Sequence, residues 1–336
     1  MGKGNLTCYP CPFMITFMFK LLLKTIVFLA LALTLGVILS PFTNMSIYWL
    51  LQPLQWIGLP QRLLNDLRLT GRFEWVTTYF SLVPSLLITS LVMCRLEGRP
   101  LTSLGLSRRP HWLKEFTLGV MFAFIFVAPI LIMLRLFNPQ IPIRLPIADL
   151  ITYIHTPNGW LAVSMVLALL TLFGAAFEEL LFRGYLFQTM MAALGRWPTI
   201  LATSGIFAVV HFATHKISAM VVVGILGLIM ALLYLRGKSL WIVIGFHAGV
   251  NGLFGIAYML RLILFKSEEV EENWLFPMTG VMALILVLWT LKYLKPSAEM
   301  EALWQRYVPV AQPWAQLKGW WARRRHAPHD RIPPES

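Results

Sequence analysis

The sequence predicts an all-α membrane protein, a polytopic helix bundle of about eight transmembrane helices. Three observations predict it. Hydrophobic residues make up 58% of the chain against 13% charged, and the mean hydropathy is +0.70, outside the usual profile of a soluble domain. Apolar runs near the roughly 20 residues that a spanning helix needs recur from end to end. Basic residues gather in a few connecting segments, which orients the spans.

The first run, 21–41, is long and has no clear small-residue cleavage pattern after it. It is expected to be a retained span rather than a signal peptide. Cys8 and Cys11 form a C-x-x-C pair without the second pair that a zinc site needs. Leu6 stands where a myristoylation signal has Ser or Thr. Segment 46–60, with Trp49, Trp56 and two prolines, is expected at the membrane interface.

Spans follow at 75–94 and 116–137, joined by the turn-rich loop 95–114. Then come 160–187, a short 199–214, 217–235, 240–260 and 274–294. Loop 95–114 carries Arg95, Arg99, Arg108, Arg109 and Lys114. The tail carries Lys292, Lys295, Arg306, Lys318, Arg323, Arg324, Arg325 and Arg331. The positive-inside rule sends both to the cytoplasm. An even number of spans brings the N-terminus, with Lys3, Lys20 and Lys24, to the same side. Arg62, Arg68 and Arg72 in loop 42–74 are the exception. The net charge of +13 therefore reads as membrane orientation, and no nucleic-acid partner is expected.

Four parts result: N-terminal spans and interfacial segment 1–115, a membrane core 116–260, a last transmembrane helix 261–294 and a basic, Trp-rich cytoplasmic tail 295–336. Trp304, Tyr307, Trp314, Trp320 and Trp321, interspersed with basic residues, suit a segment lying on anionic lipid, and equally a disordered tail. Glu268, Glu269, Glu271 and Glu272 read as a solvated outer loop. The expected location is the cell (inner) membrane with both termini cytoplasmic.

Chemistry concentrates in the core. Glu178 and Glu179 follow an almost wholly apolar stretch, at or near hydrocarbon depth, where a charge costs at least a few kcal/mol and usually marks function. Glu179 and Arg183 are four apart, acid before base, and so form a natural ion pair on one helix face. Glu178 is turned about a hundred degrees away and is expected to point into a cavity, where a carboxylate short of solvent suits a general base.

His211 lies in a later span, in the pattern Phe207-x-x-x-His211. His215 one turn on makes H-x-x-x-H, but Phe212 stands where a zinc-protease helix has its glutamate, and His215 beside Lys216 reads as interfacial. His247 and Asn251 share one face of another span, among the small residues Gly245, Ala248, Gly249 and Gly252. Small residues permit close helix approach and leave room for water or a substrate backbone.

The ordered set Glu178-Glu179-x-x-x-Arg183, Phe207-x-x-x-His211 and His247-x-x-x-Asn251 resembles the CPBP intramembrane protease family. That family includes the eukaryotic CAAX prenyl endopeptidase and bacterial abortive-infection and bacteriocin-processing relatives. The resemblance spans about 101–256, with the 103–106 turn as a weaker match; the first spans and the tail lie outside it. It implies an intramembrane endopeptidase in which Glu178 and His211 hold and activate the attacking water. His247 and Asn251 would donate hydrogen bonds to the developing oxyanion, and Glu179 and Arg183 would support the helix. The family has been read both as metallo-enzymes and as metal-free glutamate proteases. Zinc is the candidate cofactor, with Glu178, His211 and His247 as a His₂Glu ligand set and Glu179 as the one visible carboxylate to orient a histidine.

The expected partners are membrane lipids and a peptide, lipidated or membrane-protein substrate. Two other classes compete. A proton-coupled transporter also uses midplane acids and histidines, but it favours inverted repeats, which are not found here. A non-catalytic scaffold or immunity protein would keep the fold, yet has no need of uncompensated acids in lipid.

Overall fold

In a computed structural model the chain is described at residues 19–20, 23–41, 72–106, 111–137, 168, 171–211, 217–259 and 276–308. The expectations for 46–60, the Cys8–Cys11 pair, His215, the acidic run 268–272 and the tail after 308 lie outside these residues. Among the described residues every regular element is helical and no strand occurs.

The helices are α1 (Leu23–Pro41), α2 (Arg72–Leu96), α3 (His111–Phe137), α4 (171–194), α5 (Arg196–Val210), α6 (Ile217–Gly237), α7 (Leu240–Met259), α8 (Phe276–Tyr293) and α9 (Ala298–Tyr307). A 3₁₀ turn, Leu101–Leu104, lies between α2 and α3. Three of these helices are long and apolar enough to cross a membrane by themselves, within Leu23–Pro41, His111–Met133 and Met220–Gly237, and a fourth span results if the bent α8–α9 pair is counted. A helical membrane bundle is therefore what the chain forms. Large apolar side chains such as Val37, Phe124, Leu201 and Leu284 remain exposed on its outside, as a lipid-facing surface requires.

Local chemistry sets the helix ends. After α2, Gly98 takes a left-handed conformation (φ 66°), Arg99 N–H donates to Cys94 O and Gly98 N–H to Arg95 O. This is a Schellman-type stop, followed by Pro100. Ser239 in the short α6–α7 link accepts from Trp241 N–H and donates to Glu115 Oε2 at 2.7 Å, fastening the link to α3. The hydroxyls of Thr199, Thr203 and Ser204 bond back to carbonyls one turn earlier, which satisfies them inside an apolar helix.

The most extensive helix pairing is α3 with α7. It depends on glycines at the crossing. A Cβ at Gly119 would collide with the Ile242 carbonyl, one at Gly245 with the Phe116 carbonyl, and one at Gly249 would sit 2.6 Å from Ala123 Cβ. The small residues around His247 therefore divide. Gly245 and Gly249 serve packing against α3, whereas Gly252 faces Thr171 at the start of α4.

The chain after α8 departs from expectation. It turns by 92° into α9, capped by Ser297, whose Oγ accepts from Met300 N–H. Met300 and Trp304 are buried, with the Trp304 ring 5.5 Å from that of Tyr234. Lys238 pairs with Glu301 across the same contact. Trp304 thus packs into the bundle instead of lying on a lipid surface, because its aromatic body covers the end of α6.

Candidate active site

Three helices converge on one polar centre. α4 brings Glu178, Glu179 and Arg183; α5 ends at His211; α7 brings His247. α4 is not a uniform α-helix. Directly after Glu179 it widens into a π-helical turn, Leu180–Leu186, before continuing as Phe187–Leu194. Such turns shift the side-chain register locally and occur often at functional sites.

Glu179 and Arg183 are both fully buried. Arg183 Nη1 donates to Glu179 Oε1 at 2.9 Å, and Nη2 donates to the Gly227 carbonyl of α6 at 3.1 Å. The same Glu179 Oε1 accepts from His247 Nδ1 at 2.8 Å. Glu179 is thus shared between the guanidinium and the imidazole, and it fixes which His247 nitrogen faces inward. His211 is oriented differently. It stands at the C-cap of α5, and its Nδ1 donates to the Phe207 carbonyl at 2.7 Å. A carbonyl only accepts, so Nδ1 carries the hydrogen.

With both Nδ1 atoms committed, both Nε2 atoms turn toward Glu178. Glu178 Oε2 lies 3.6 Å from His211 Nε2 and 3.9 Å from His247 Nε2. Those separations are too long for direct hydrogen bonds. Glu178 Oε2 is a buried atom without a hydrogen-bond partner among the described residues. A carboxylate oxygen and imidazole nitrogens aimed at one small volume can hold a molecule that donates to them, such as water. Asn251 stands one turn beyond His247 and is exposed.

The donor types would suit zinc, and each imidazole has a hydrogen-bond acceptor on its far nitrogen, as metal-ligating histidines do. The distances, however, do not gather a metal cage: among the described residues no group of three or more His, Cys, Asp or Glu side chains is placed to hold an ion.

Sequence spacing pointed to the Glu179–Arg183 pair, and the resemblance offered Glu179 as the carboxylate to orient a histidine; that histidine is His247, 68 residues on. Spacing missed the part taken by the Phe207 ring. That ring lies 4.6 Å from the His211 ring and 5.9 Å from the His247 ring.

Residues 158–253, which contain Glu178, Glu179, Arg183, His211, His247 and Asn251, match the family described as type II CAAX prenyl endopeptidase Rce1-like. The match covers under a third of the chain, and together with the apolar helices it fits an integral membrane protein. No curated protein and no solved structure matches the chain.

Proposed function

We propose that this chain is a CAAX-protease-like endopeptidase that hydrolyses a peptide bond of a prenylated or otherwise membrane-held protein, with Glu178 as general base. The observation that carries the reading is the buried, unpartnered Glu178 Oε2 facing the Nε2 atoms of His211 and His247. Glu178 and His211 hold the attacking water. Glu178 takes its proton as the hydroxyl adds to the scissile carbonyl carbon, and returns that proton to the leaving amine as the C–N bond breaks. His247 and Asn251 donate to the oxyanion that forms in between.

That role has a condition. Nδ1 of His247 already donates to Glu179, so Nε2 can donate only if the ring carries hydrogens on both nitrogens, as a cation set between two carboxylates. A zinc-dependent variant of the reaction would need the same Nε2 bare. Chelation followed by zinc add-back separates the two. Activity that survives chelation favours the metal-free route; loss restored by zinc assigns the cofactor.

The deciding experiment compares the purified wild-type protein with Glu178→Gln on farnesylated and unprenylated C-terminal peptides. The expected outcome is cleavage of a peptide bond that falls by about 10²- to 10⁴-fold in the variant, with unfolding temperature unchanged. Equal cleavage by the two proteins would remove the base and the reading with it. The accompanying orientation, in the inner membrane with both termini cytoplasmic, rests on the charge placement in the sequence and is tested by cysteine accessibility of the termini in spheroplasts.

A further inference from the structure

Phe207 has no hydrogen-bonding side chain, yet four polar or aromatic groups of the site converge on it. The ring is 2% exposed. It contacts the His211 ring at 4.6 Å and the His247 ring at 5.9 Å, the second edge-on at 75°. The Arg183 guanidinium lies over it, 4.5 Å from the centroid, within the range of a cation–π contact. Phe182 meets it edge-on at 5.3 Å. Its main-chain carbonyl is the acceptor for His211 Nδ1. On the remaining side is Gly227, where a Cβ would stand 3.4 Å from Phe207 Cδ1. The ring therefore fills a slot bounded by α4, α6 and α7.

We infer that Phe207 is a positioning residue: one rigid ring sets the spacing of the two histidines relative to Glu178 and keeps Arg183 on Glu179. The inference rests on the hydrolytic reading above, and three features of the contacts support it. His211 stands at the C-cap of α5, and both the Phe207 carbonyl and the Phe207 ring bear on its imidazole. His247 is tied at Nδ1 by Glu179, but one hydrogen bond leaves the ring free to swing about it, and the Phe207 edge limits that swing. Arg183 reaches Glu179 and Gly227 while lying over the ring, so the ring supports the guanidinium where it meets its hydrogen-bond partners. An aliphatic side chain would fill part of the volume without the flat surface. The histidines would then lose a common reference, and displacement by a fraction of an ångström is costly where a proton must be taken in flight.

The test is a comparison of Phe207→Leu, Phe207→Tyr and Phe182→Leu with the wild type, alongside Glu178→Gln. Phe182 is also buried, with its ring contact on Phe207, so its variant reports the cost of losing a core ring. The expected result for Phe207→Leu is a fall in kcat of about 10- to 100-fold with little change in KM. Phe207→Tyr, which keeps the ring, recovers most of that loss, and Phe182→Leu loses stability but keeps kcat within a few-fold. If Phe207→Leu does not fold, the Phe207→Tyr and Phe182→Leu pair still decides: a kcat lower in the ring-retaining Phe207→Tyr than in Phe182→Leu overturns the positioning role. Cleavage that depends on Glu178 but is unchanged in Phe207→Leu overturns this inference alone. Cleavage independent of Glu178 overturns the hydrolytic reading and this inference together.

Discussion

Helix α4 contributes to two polar clusters about two and a half turns apart, and their carboxylates are built on opposite rules. In the first the carboxylate is closed. Both oxygens of Glu97 are engaged, Oε1 by Lys24 and Tyr185 at 2.8 and 2.9 Å and Oε2 by Arg99 at 2.8 Å. Gln188 accepts from Arg99 at 2.6 Å and donates at 2.7 Å to both Ser103 O and the Tyr234 hydroxyl. Tyr234 in turn donates to Leu104 O at 2.8 Å. Both oxygens of the Glu97 carboxylate and both ends of the Gln188 amide are engaged, as in a network that holds helices together. In the second, Glu179 Oε1 is shared by Arg183 and His247, while Glu179 Oε2 and Arg183 Nε find no partner among the described residues. Glu178 Oε2 is left facing two imidazoles that it does not bond. A fold gains nothing from a buried acceptor without a donor. On the proposed reading, Glu178 bears that cost because it is the base.

The contrast is broken most directly by exchanging the same substitution between the clusters. Glu178→Gln should lower kcat by about 10²- to 10⁴-fold and leave the unfolding temperature where it was. Glu97→Gln should do the reverse, lowering the unfolding temperature with activity per folded molecule unchanged. Cleavage assays paired with thermal unfolding in detergent read both. If the two variants behaved alike, the distinction between a closed and an open cluster would have no functional meaning.

Arg183→Leu comes next in size. It strips the guanidinium from a carboxylate with no access to solvent, and breaking a buried pair by removing one partner costs about 3–5 kcal/mol. His247 would also lose the fixed carboxylate that orients it, so activity falls with stability. The measurement is the unfolding midpoint in a denaturant series. A shift no larger than that of a surface substitution would mean that water reaches the pair. Gln188→Leu is expected to cost less, about 1–3 kcal/mol, the usual penalty for leaving buried partners unsatisfied. Its kcat, measured well below the unfolding temperature, should remain that of the wild type, because the residues that lose a partner belong to the closed cluster.

Distance along the chain decided how much of this was readable in the sequence. The helical class and the Glu179–Arg183 pair depend on composition and on a four-residue spacing, and both are present in the fold. The π-helical turn at Leu180–Leu186 was not readable, since nothing in Leu-Leu-Phe-Arg-Gly-Tyr-Leu distinguishes it from an apolar α-helix. Nor was the bond from Arg99 to Gln188, 89 residues on, or which histidine Glu179 would orient, His247 being 68 residues on. Those depend on which helices pack together, and uniformly apolar helices carry little pattern to say so. Trp304 shows the same effect. Its neighbours made it look like part of an interfacial tail, and the 92° turn after α8 returned it to the core.

The smallest effect sharpens the comparison from the closed side. Burial alone would raise the Glu97 carboxyl, but Lys24, Arg99 and the Tyr185 hydroxyl outweigh it and hold the group below the ordinary glutamate range. A carboxyl lowered in the folded state contributes stability that is complete above its unfolded value. That contribution shrinks as the pH falls from about 4.3, the ordinary glutamate value, and is gone once the pH passes below the folded value. Glu97→Gln has no such group to protonate. Its unfolding temperature should therefore fall less steeply between about pH 5 and acid than that of the wild type, and the two curves should converge at the acid end. Parallel curves would show that the Glu97 cluster is no better bonded folded than unfolded, and would leave Glu178 without the closed counterpart that makes its isolation informative.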